Sequence, residues 1–484
     1  MTKALCDAAG VRAVAGARQP DAGGEPTRLP GKGTVVSEST VLVDGAWGEG
    51  GGQILRTALT LSLVTGRPVF IDNIRAGRSE PGLRPQHLVA VEAARAVSGG
   101  RVEGAGIGSS SLRFFPAGAR QPDRGAPQPA GGEPPTPQAG ARPSPHLGPP
   151  PVGEGKGEGR IWAGAAPSIQ PGDYHFRIAT AGATTLVVET LVPALALAPG
   201  DFTVTVTGGT HVPWAPTFEY LARHWAVMLA WLGEVPPLPA DGRTRSIGHP
   251  SRPAGPLRGR PAGHPGQDAP RGLEVEAKLE QAGFYPRGGG SVRVSVRGAG
   301  RPPARGGRGK PLVALERGDF RQAAGVSLAS GLPRHIVERQ ARELERGLRQ
   351  LGLADARGEV AVEAVEPRAV DPGTAVYVEA EFATGRAAFT ALGQRGKPAE
   401  QVAREALNEL ARYLKTEAAF DYHLADQLLV PLALASGESR FTTSAVSEHL
   451  LTNAHVIDLF LGPVVEVRGK VGEPGEVRIT PAGS

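Results

Sequence analysis

Residues 52–66 read GQILRTALTLSLVTG, and this stretch decides the fold because the chain returns to it twice. Residues 183–200 read ATTLVVETLVPALALAPG, and residues 424–437 read LADQLLVPLALASG. Each run is apolar on most faces, the pattern of a helix buried against a sheet. Each closes on a glycine, Gly66, Gly200 or Gly437, where a helix C-cap is expected. A short β-branched or aromatic run follows each and reads as a strand. Recurrence of this kind marks a repeat architecture.

Around the first copy, strands are expected at Thr40 to Val43, Val69 to Ile71, near Val102 and at Leu112 to Phe115, with a second helix from Pro85 to Val97. Around the second, strands are expected at Tyr174 to Ile178, Phe202 to Val206, Leu273 to Leu279 and Ser291 to Val296, with a helix from Pro216 to Leu232. The third repeats the later part, with a strand at Arg440 to Ala445, a helix from Glu448 to Phe460 and strands at Val464 to Arg468 and Glu476 to Ile479. The expected fold class is α/β (α+β): three repeated units of a four-stranded sheet backed by two helices, plus a small inserted α/β domain. That domain is expected over residues 320–385, from an amphipathic helix Ile336 to Leu351 and strands at Val360 to Val365 and Ala375 to Phe382. The helix Ala399 to Leu414 is expected to return the chain to the main body. The main domain then spans residues 39–319, repeats one and two, and 386–484, repeat three. Residues 1–38 and segments at about 117–170, 237–272 and 298–310 are rich in Gly and Pro without any period. Such compositions bury too little apolar surface to offset chain entropy, so a disordered tail and surface insertions are expected.

Net charge is +5 over 484 residues, which allows an acidic partner without implying one. The single cysteine, Cys6, excludes an intrachain disulfide and suits a reducing cytoplasm. The longest apolar run, Leu191 to Ala198, is too short to span a bilayer, so a cytoplasmic location is expected.

The first long helix opens from Gly48-Glu49-Gly50-Gly51-Gly52, and Arg56, Arg75, Arg78 and Arg84 follow closely. Glycines let backbone approach a ligand, helix N–H groups favour anions, and arginines grip phosphate with a planar fork. The segment reads as a phosphate-handling surface. It is not a Walker loop, because Gly309-Lys310 and Gly396-Lys397 are each followed by proline. Gln53 stands where a dinucleotide fingerprint needs glycine. Glu49 reads either as a helix N-terminal acid or as a ligand for Mg²⁺ or Mn²⁺. His449 follows the capping candidate Ser447, at a helix start where imidazole stays neutral and anions gather. His455, close behind, reads as structural.

The chain resembles the RNA 3'-terminal phosphate cyclases, in their catalytically competent bacterial and archaeal branch. The resemblance rests on the Gly48–Arg56 and Ile74–His87 blocks, Gly208-Gly209-Thr210, Gly283 to Gly290, Leu424 to Leu428, and Glu448-His449-Leu450-Leu451-Thr452-Asn453, all in the family's order. It implies that His449 becomes covalently adenylylated, with Arg56 and Glu49 in the catalytic group. It places Arg75, Arg78, Gln86 and His87 at the RNA end and its phosphate. It places Pro213, His423, Asp426 and Gln427 at ATP, with Glu49 and Asp426 as candidate ligands of Mg²⁺ or Mn²⁺. Pro213 and Trp214 could flank a base, although Trp214 equally suits a core. His423 and Ser110 depart from the tyrosine and glutamine common in bacterial members. The implied reaction joins ATP and an RNA 3'-phosphate through histidine–AMP and RNA(3')pp(5')A to a 2',3'-cyclic phosphodiester. Monomer and homodimer both stay open. Two rivals are a catalytically silent RNA-binding relative of ribosome maturation, which would lack His449, and an enolpyruvyl transferase, which would lack the His449 block.

Overall fold

The computed structural model describes residues 40–117, 169–232, 273–299 and 310–481. The expected tail of residues 1–38, Cys6 and nearly all of the three expected insertions lie outside the described residues.

The first repeat runs β1 (Val41–Asp44), α1 (Gly52–Thr65), β2 (Val69–Asp72), α2 (Pro85–Ser98), β3 (Arg101–Glu103) and β4 (Leu112–Phe115). Its sheet is ordered β1-β2-β4-β3, with β1 and β2 parallel and the other neighbours antiparallel. The second repeat runs β5 (Gly172–Arg177), α3 (Thr184–Leu197), β6 (Pro199–Gly208), α4 (Phe218–Tyr220), α5 (Ala226–Leu232), β7 (Glu274–Gln281) and β8 (Gly290–Ala299). Its order, β5-β6-β8-β7, repeats the same parallel-then-antiparallel scheme. The expected single helix from Pro216 to Leu232 starts at Phe218 and is interrupted by a π-wound turn, Leu221–Trp225.

The third repeat begins earlier than expected, with β9 (Val313–Ala314). The inserted unit follows: β10 (Phe320–Ser330), α6 (Arg334–Gln350), β11 (Ala361–Val365), β12 (Gly373–Phe382), β13 (Arg386–Leu392) and α7 (Ala399–Leu414). The third repeat then resumes with α8 (Tyr422–Ala433), β14 (Ser439–Thr443), α9 (Glu448–Leu461), β15 (Val465–Arg468) and β16 (Gly475–Ile479). Because β9 pairs in parallel with β14, the order β9-β14-β16-β15 matches the other two repeats. The insertion therefore interrupts repeat three between its first strand and first helix.

Two expected boundaries move. The sheet β11-β10-β12-β13 takes its fourth strand from beyond residue 385, and α7 packs on α6 rather than returning to the main body. Val402, Ala406 and Leu410 of α7 share a core with Leu344 and Leu348 of α6 and Phe389 of β13, separate from the core of the three repeats. Only Gly66 of the three expected glycine caps holds that place. Helix α3 ends at Ala198, which turns extended because proline at 199 disfavours helical geometry before it. Helix α8 ends at Leu434, ahead of Gly437.

Helix α1 lies against α2, α3 and α9, and α8 against α9. Leu59, Leu61 and Leu63 are fully buried on successive faces of α1, which explains its near-continuous apolar sequence. Each such leucine contributes about 1.5–3 kcal/mol of transfer free energy. Polar residues of α1, α3 and α8 line one small cavity among these helices.

Candidate active site

The glycine turn sets Glu49 against the first turn of α9. Ser447 caps that helix, its hydroxyl accepting from Leu450 N at 3.0 Å. His449 is 46% exposed, and its Nδ1 lies 3.3 Å from Glu49 Oε2. Arg78 reaches the same carboxylate oxygen at 3.3 Å. Burial holds His449 below its ordinary pKa, Glu49 opposes, and Arg56 and Arg78 lower it further. The imidazole is neutral at neutral pH. Trp47, just before the turn, stacks on His455 of α9 with centroids 4.0 Å apart. That stack fastens the turn to the helix carrying His449.

Two glycines leave no room for side chains here. A methyl at Gly51 would stand 2.9 Å from Arg78 NH2 and 3.0 Å from Glu49 Cδ. One at Gly52 would stand 3.0 Å from Arg56 NH1 and would run into His87 Nε2. Arg56 and His87 thus meet at the start of α1. His87 is buried and its Nδ1 accepts from Arg84 N at 3.1 Å, so Nε2 carries the proton. Burial first, then Arg56, Arg75 and Arg84, push its pKa down to about 3.

Not every expected phosphate or RNA contact is free for that role. Arg75 has a left-handed backbone, φ 56°, and donates to Glu80 O at 2.7 Å and Gly82 O at 3.2 Å. It braces its own loop. Arg84 pairs with Glu80 at 2.7 Å. Gln86 accepts from Ala183 N at 3.0 Å, tying α2 to the start of α3.

A cavity of about 50 Å³ among α1, α3, α8 and α9 is lined by Arg56, Glu189, Asp426 and Gln427, among others. It has room for a few waters. Each of the three repeated helices gives it one ionisable side chain: Arg56 from α1, Glu189 from α3, Asp426 from α8. Gln427 Nε2 donates to Glu189 Oε1 at 3.0 Å. Burial raises the Glu189 pKa to about 7, with Arg56 opposing. Burial, then Glu189, Asp421 and Glu49, raise Asp426 well above the carboxylate range, with Arg56 opposing. Asn453 joins three helices, accepting from Thr57 at 2.6 Å and Gln53 at 3.1 Å and donating to Asp426 O at 3.0 Å.

His423 sits on the first turn of α8, edge-on to Tyr220 at 6.3 Å. Pro213 and Trp214 are exposed, Trp214 at 97%, so the core alternative for this tryptophan does not hold. Its φ of 62° is strained for a bulky residue. Next to them, His211 pairs with Glu219 at 2.8 Å and stacks on Phe284 at 5.3 Å.

Glu49 and Asp426 are the carboxylates expected to hold a divalent cation. Among the described residues no three His, Cys, Asp or Glu side chains stand at metal-ligand spacing. Two carboxylates would suit a cation that keeps waters and phosphate oxygens as most of its shell, as Mg²⁺ does, and such a charge would offset the burial and neighbouring carboxylates that keep Asp426 protonated. Sequence reasoning missed Glu189, Gln53, Thr57 and Asn453 as site residues. Glu189 had a legible signal, being the lone charge in the apolar α3.

The sequence matches the family model described as RNA 3'-terminal phosphate cyclase over residues 47–129 and 164–257, and that family's insert-domain model over 315–415. It is 38% identical to the RNA 3'-terminal phosphate cyclase of Thermococcus gammatolerans, covering 91% of this chain and 97% of that protein. It is 35% identical to the protein of that name from Methylococcus capsulatus, with coverages of 91% and 97%. For that of Trichormus variabilis the identity is 33%, with coverages of 86% and 93%.

Proposed function

The chain belongs to the RNA 3'-terminal phosphate cyclase family, and from that premise we propose that it converts an RNA 3'-phosphate to a 2',3'-cyclic phosphodiester in an ATP-dependent reaction with His449 as nucleophile. The observation that carries this reading is the 3.3 Å contact of His449 Nδ1 with Glu49 Oε2. A neutral imidazole facing a carboxylate keeps its proton on Nδ1 and leaves the Nε2 lone pair free. A positioned base-oriented nucleophile of this kind is the working part of covalent catalysis.

In the first step His449 Nε2 attacks the α-phosphorus of ATP. The bond to the bridging oxygen breaks, pyrophosphate leaves, and histidine–AMP remains. An oxygen of the RNA 3'-phosphate then attacks the same phosphorus and displaces the histidine, giving RNA(3')pp(5')A. Finally the vicinal 2'-OH attacks the RNA-side phosphorus, AMP leaves and the cyclic ester closes. That last attack is intramolecular, which removes the entropy of bringing reactants together. Arg56 and Arg78 flank the nucleophile and stabilise charge on the phosphates, as preorganised donors do. His87 presents an Nε2–H donor beside Arg56, while Gln86 and Arg75 hold the RNA side by bracing backbone. His423, Asp426 and Gln427 line the nucleotide side. Pro213 supports it, and Trp214 offers a base-stacking face. A divalent cation held by Glu49 and Asp426 would neutralise phosphate charge. A cytoplasmic location belongs to this reading.

The test is incubation with ATP labelled at the α-phosphate, for the wild type and His449→Ala. Acid-labile label on the wild type alone is the expected result. Absence of label on folded wild type would overturn the mechanism and favour the silent RNA-binding relative.

A further inference from the structure

A chain of buried polar contacts runs from the inserted unit to the helix that lines the nucleotide side. Arg386, the first residue of β13, donates from Nε to His224 Nδ1 at 3.1 Å. Its NH2 donates to Arg223 O at 3.0 Å and to Glu379 Oε2 at 3.1 Å. A guanidinium can only donate, so His224 Nδ1 must accept and its proton must sit on Nε2. That Nε2 lies 2.9 Å from Asp421 Oδ2. His224 is fully buried, and its pKa is lowered by that burial, with Asp421 opposing.

Asp421 is the N-cap of α8, its Oδ1 accepting from His423 N at 3.0 Å and Leu424 N at 2.9 Å. An ordinary cap ends there. This one also accepts from Tyr220 OH at 3.2 Å and from Ala388 N of β13 at 3.2 Å. One fully buried carboxylate thus binds repeat two, the inserted unit and the start of α8. The π-wound turn Leu221–Trp225 carries both Arg223 and His224, and such turns recur at functional sites. Capping alone does not require a histidine held in one tautomer by an arginine of the inserted unit. An orientation requirement on α8 does, because His423, Asp426 and Gln427 all project from its first two turns.

We propose that Arg386 and His224 are positioning residues for the nucleotide half of the site, and that the inserted unit acts on catalysis by fixing the N-terminus of α8. This rests on the reading of α8 as the nucleotide-facing helix. Neither residue touches substrate. The inserted unit sets the His224 tautomer, His224 and Tyr220 hold Asp421, and Asp421 sets the register of His423 and Asp426.

The experiment uses the full-length protein, with KM for ATP in self-labelling and KM for a 3'-phosphorylated oligoribonucleotide in cyclisation measured separately. Arg386→Met and His224→Ala should each raise KM for ATP about tenfold or more, and Tyr220→Phe about threefold, since each removes a hydrogen bond that orders the site. KM for the oligonucleotide should change less than about twofold. His224→Gln, which can still accept at one end and donate at the other, should restore most of the ATP affinity. Equal KM for ATP in wild type and Tyr220→Phe, or equal rises for both substrates across the series, would overturn the proposal. A wild type that takes no label at all would instead overturn the functional reading on which it rests.

Discussion

Gly51→Ala isolates the contribution of Glu49 to His449, the proposed nucleophile. Gly51 has φ −98° and ψ −165°, an extended conformation that alanine adopts without strain. What the methyl meets is the Glu49 carboxylate, with Cδ 3.0 Å away. Carbon–carbon contacts rest at about 3.5–4.0 Å, so the carboxylate must retreat by roughly 1 Å. Arg78 NH2, 2.9 Å from the methyl, must give way as well. A displacement of that size at a reacting group lowers rate by about 10²-fold, or about 2.7 kcal/mol in the barrier. Folding should suffer far less. Alanine is a poorer N-cap than glycine by about 1 kcal/mol, which lowers Tm by only about 1 °C in a chain of 484 residues. The assay is the single-turnover rate of acid-labile labelling from α-labelled ATP, beside a thermal melt. A variant that melts near wild type and labels at the wild-type rate would refute the idea that Glu49 orients His449.

Three further outcomes follow from the same geometry. The labelling rate should stay level as pH falls to the ordinary imidazole value of 6.5 and drop only below it, because His449 stays neutral there; a drop centred above 6.5 would contradict this. Glu189 rises from 4.5 to about 7 on folding, so the folded state holds the extra proton and stability declines as pH climbs through that window. Glu189→Gln should therefore stabilise by about 2–4 kcal/mol at pH 8 and by almost nothing at pH 4.5 in urea titrations, and a gain independent of pH would count against it. Trp214→Ala should leave stability within about 0.5 kcal/mol yet weaken oligonucleotide binding about 5- to 150-fold, as base stacking is worth about 1–3 kcal/mol; unchanged binding by fluorescence anisotropy would show that Trp214 stacks on no RNA base.

The repeated helices were legible because α1, α3 and α8 are buried on nearly every face and write that burial into sequence. Strands β10 and β13 were not, since FRQAAGVSLAS and RAAFTAL are built of small residues with weak strand preference. Their stability comes from α6 and α7 packed over them, a tertiary effect. The two-residue β9 is too short for any pattern to register. At the site, Glu49 and His449 are 400 residues apart in sequence, and only the order of blocks shared with a family joined them beforehand. The Arg386–His224–Asp421 chain was out of reach, because it depends on a local widening of one helix that the sequence does not announce.

The placement of the inserted unit has a consequence for synthesis. In the first repeat Val41 pairs with Val69, so that sheet can begin to close soon after its chain emerges. In the third, Leu312 N beside β9 donates to the hydroxyl of Ser439 at the start of β14, across 127 residues. Strand β9 must wait for its partner β14 until the whole inserted unit has been synthesised. Contacts so distant in sequence form late and slowly. The α9 helix that carries His449 is made later still, so His449 can join Glu49 only after the residues between them have been made. A product truncated before α9 would therefore carry Glu49, Arg56 and Arg78 without His449.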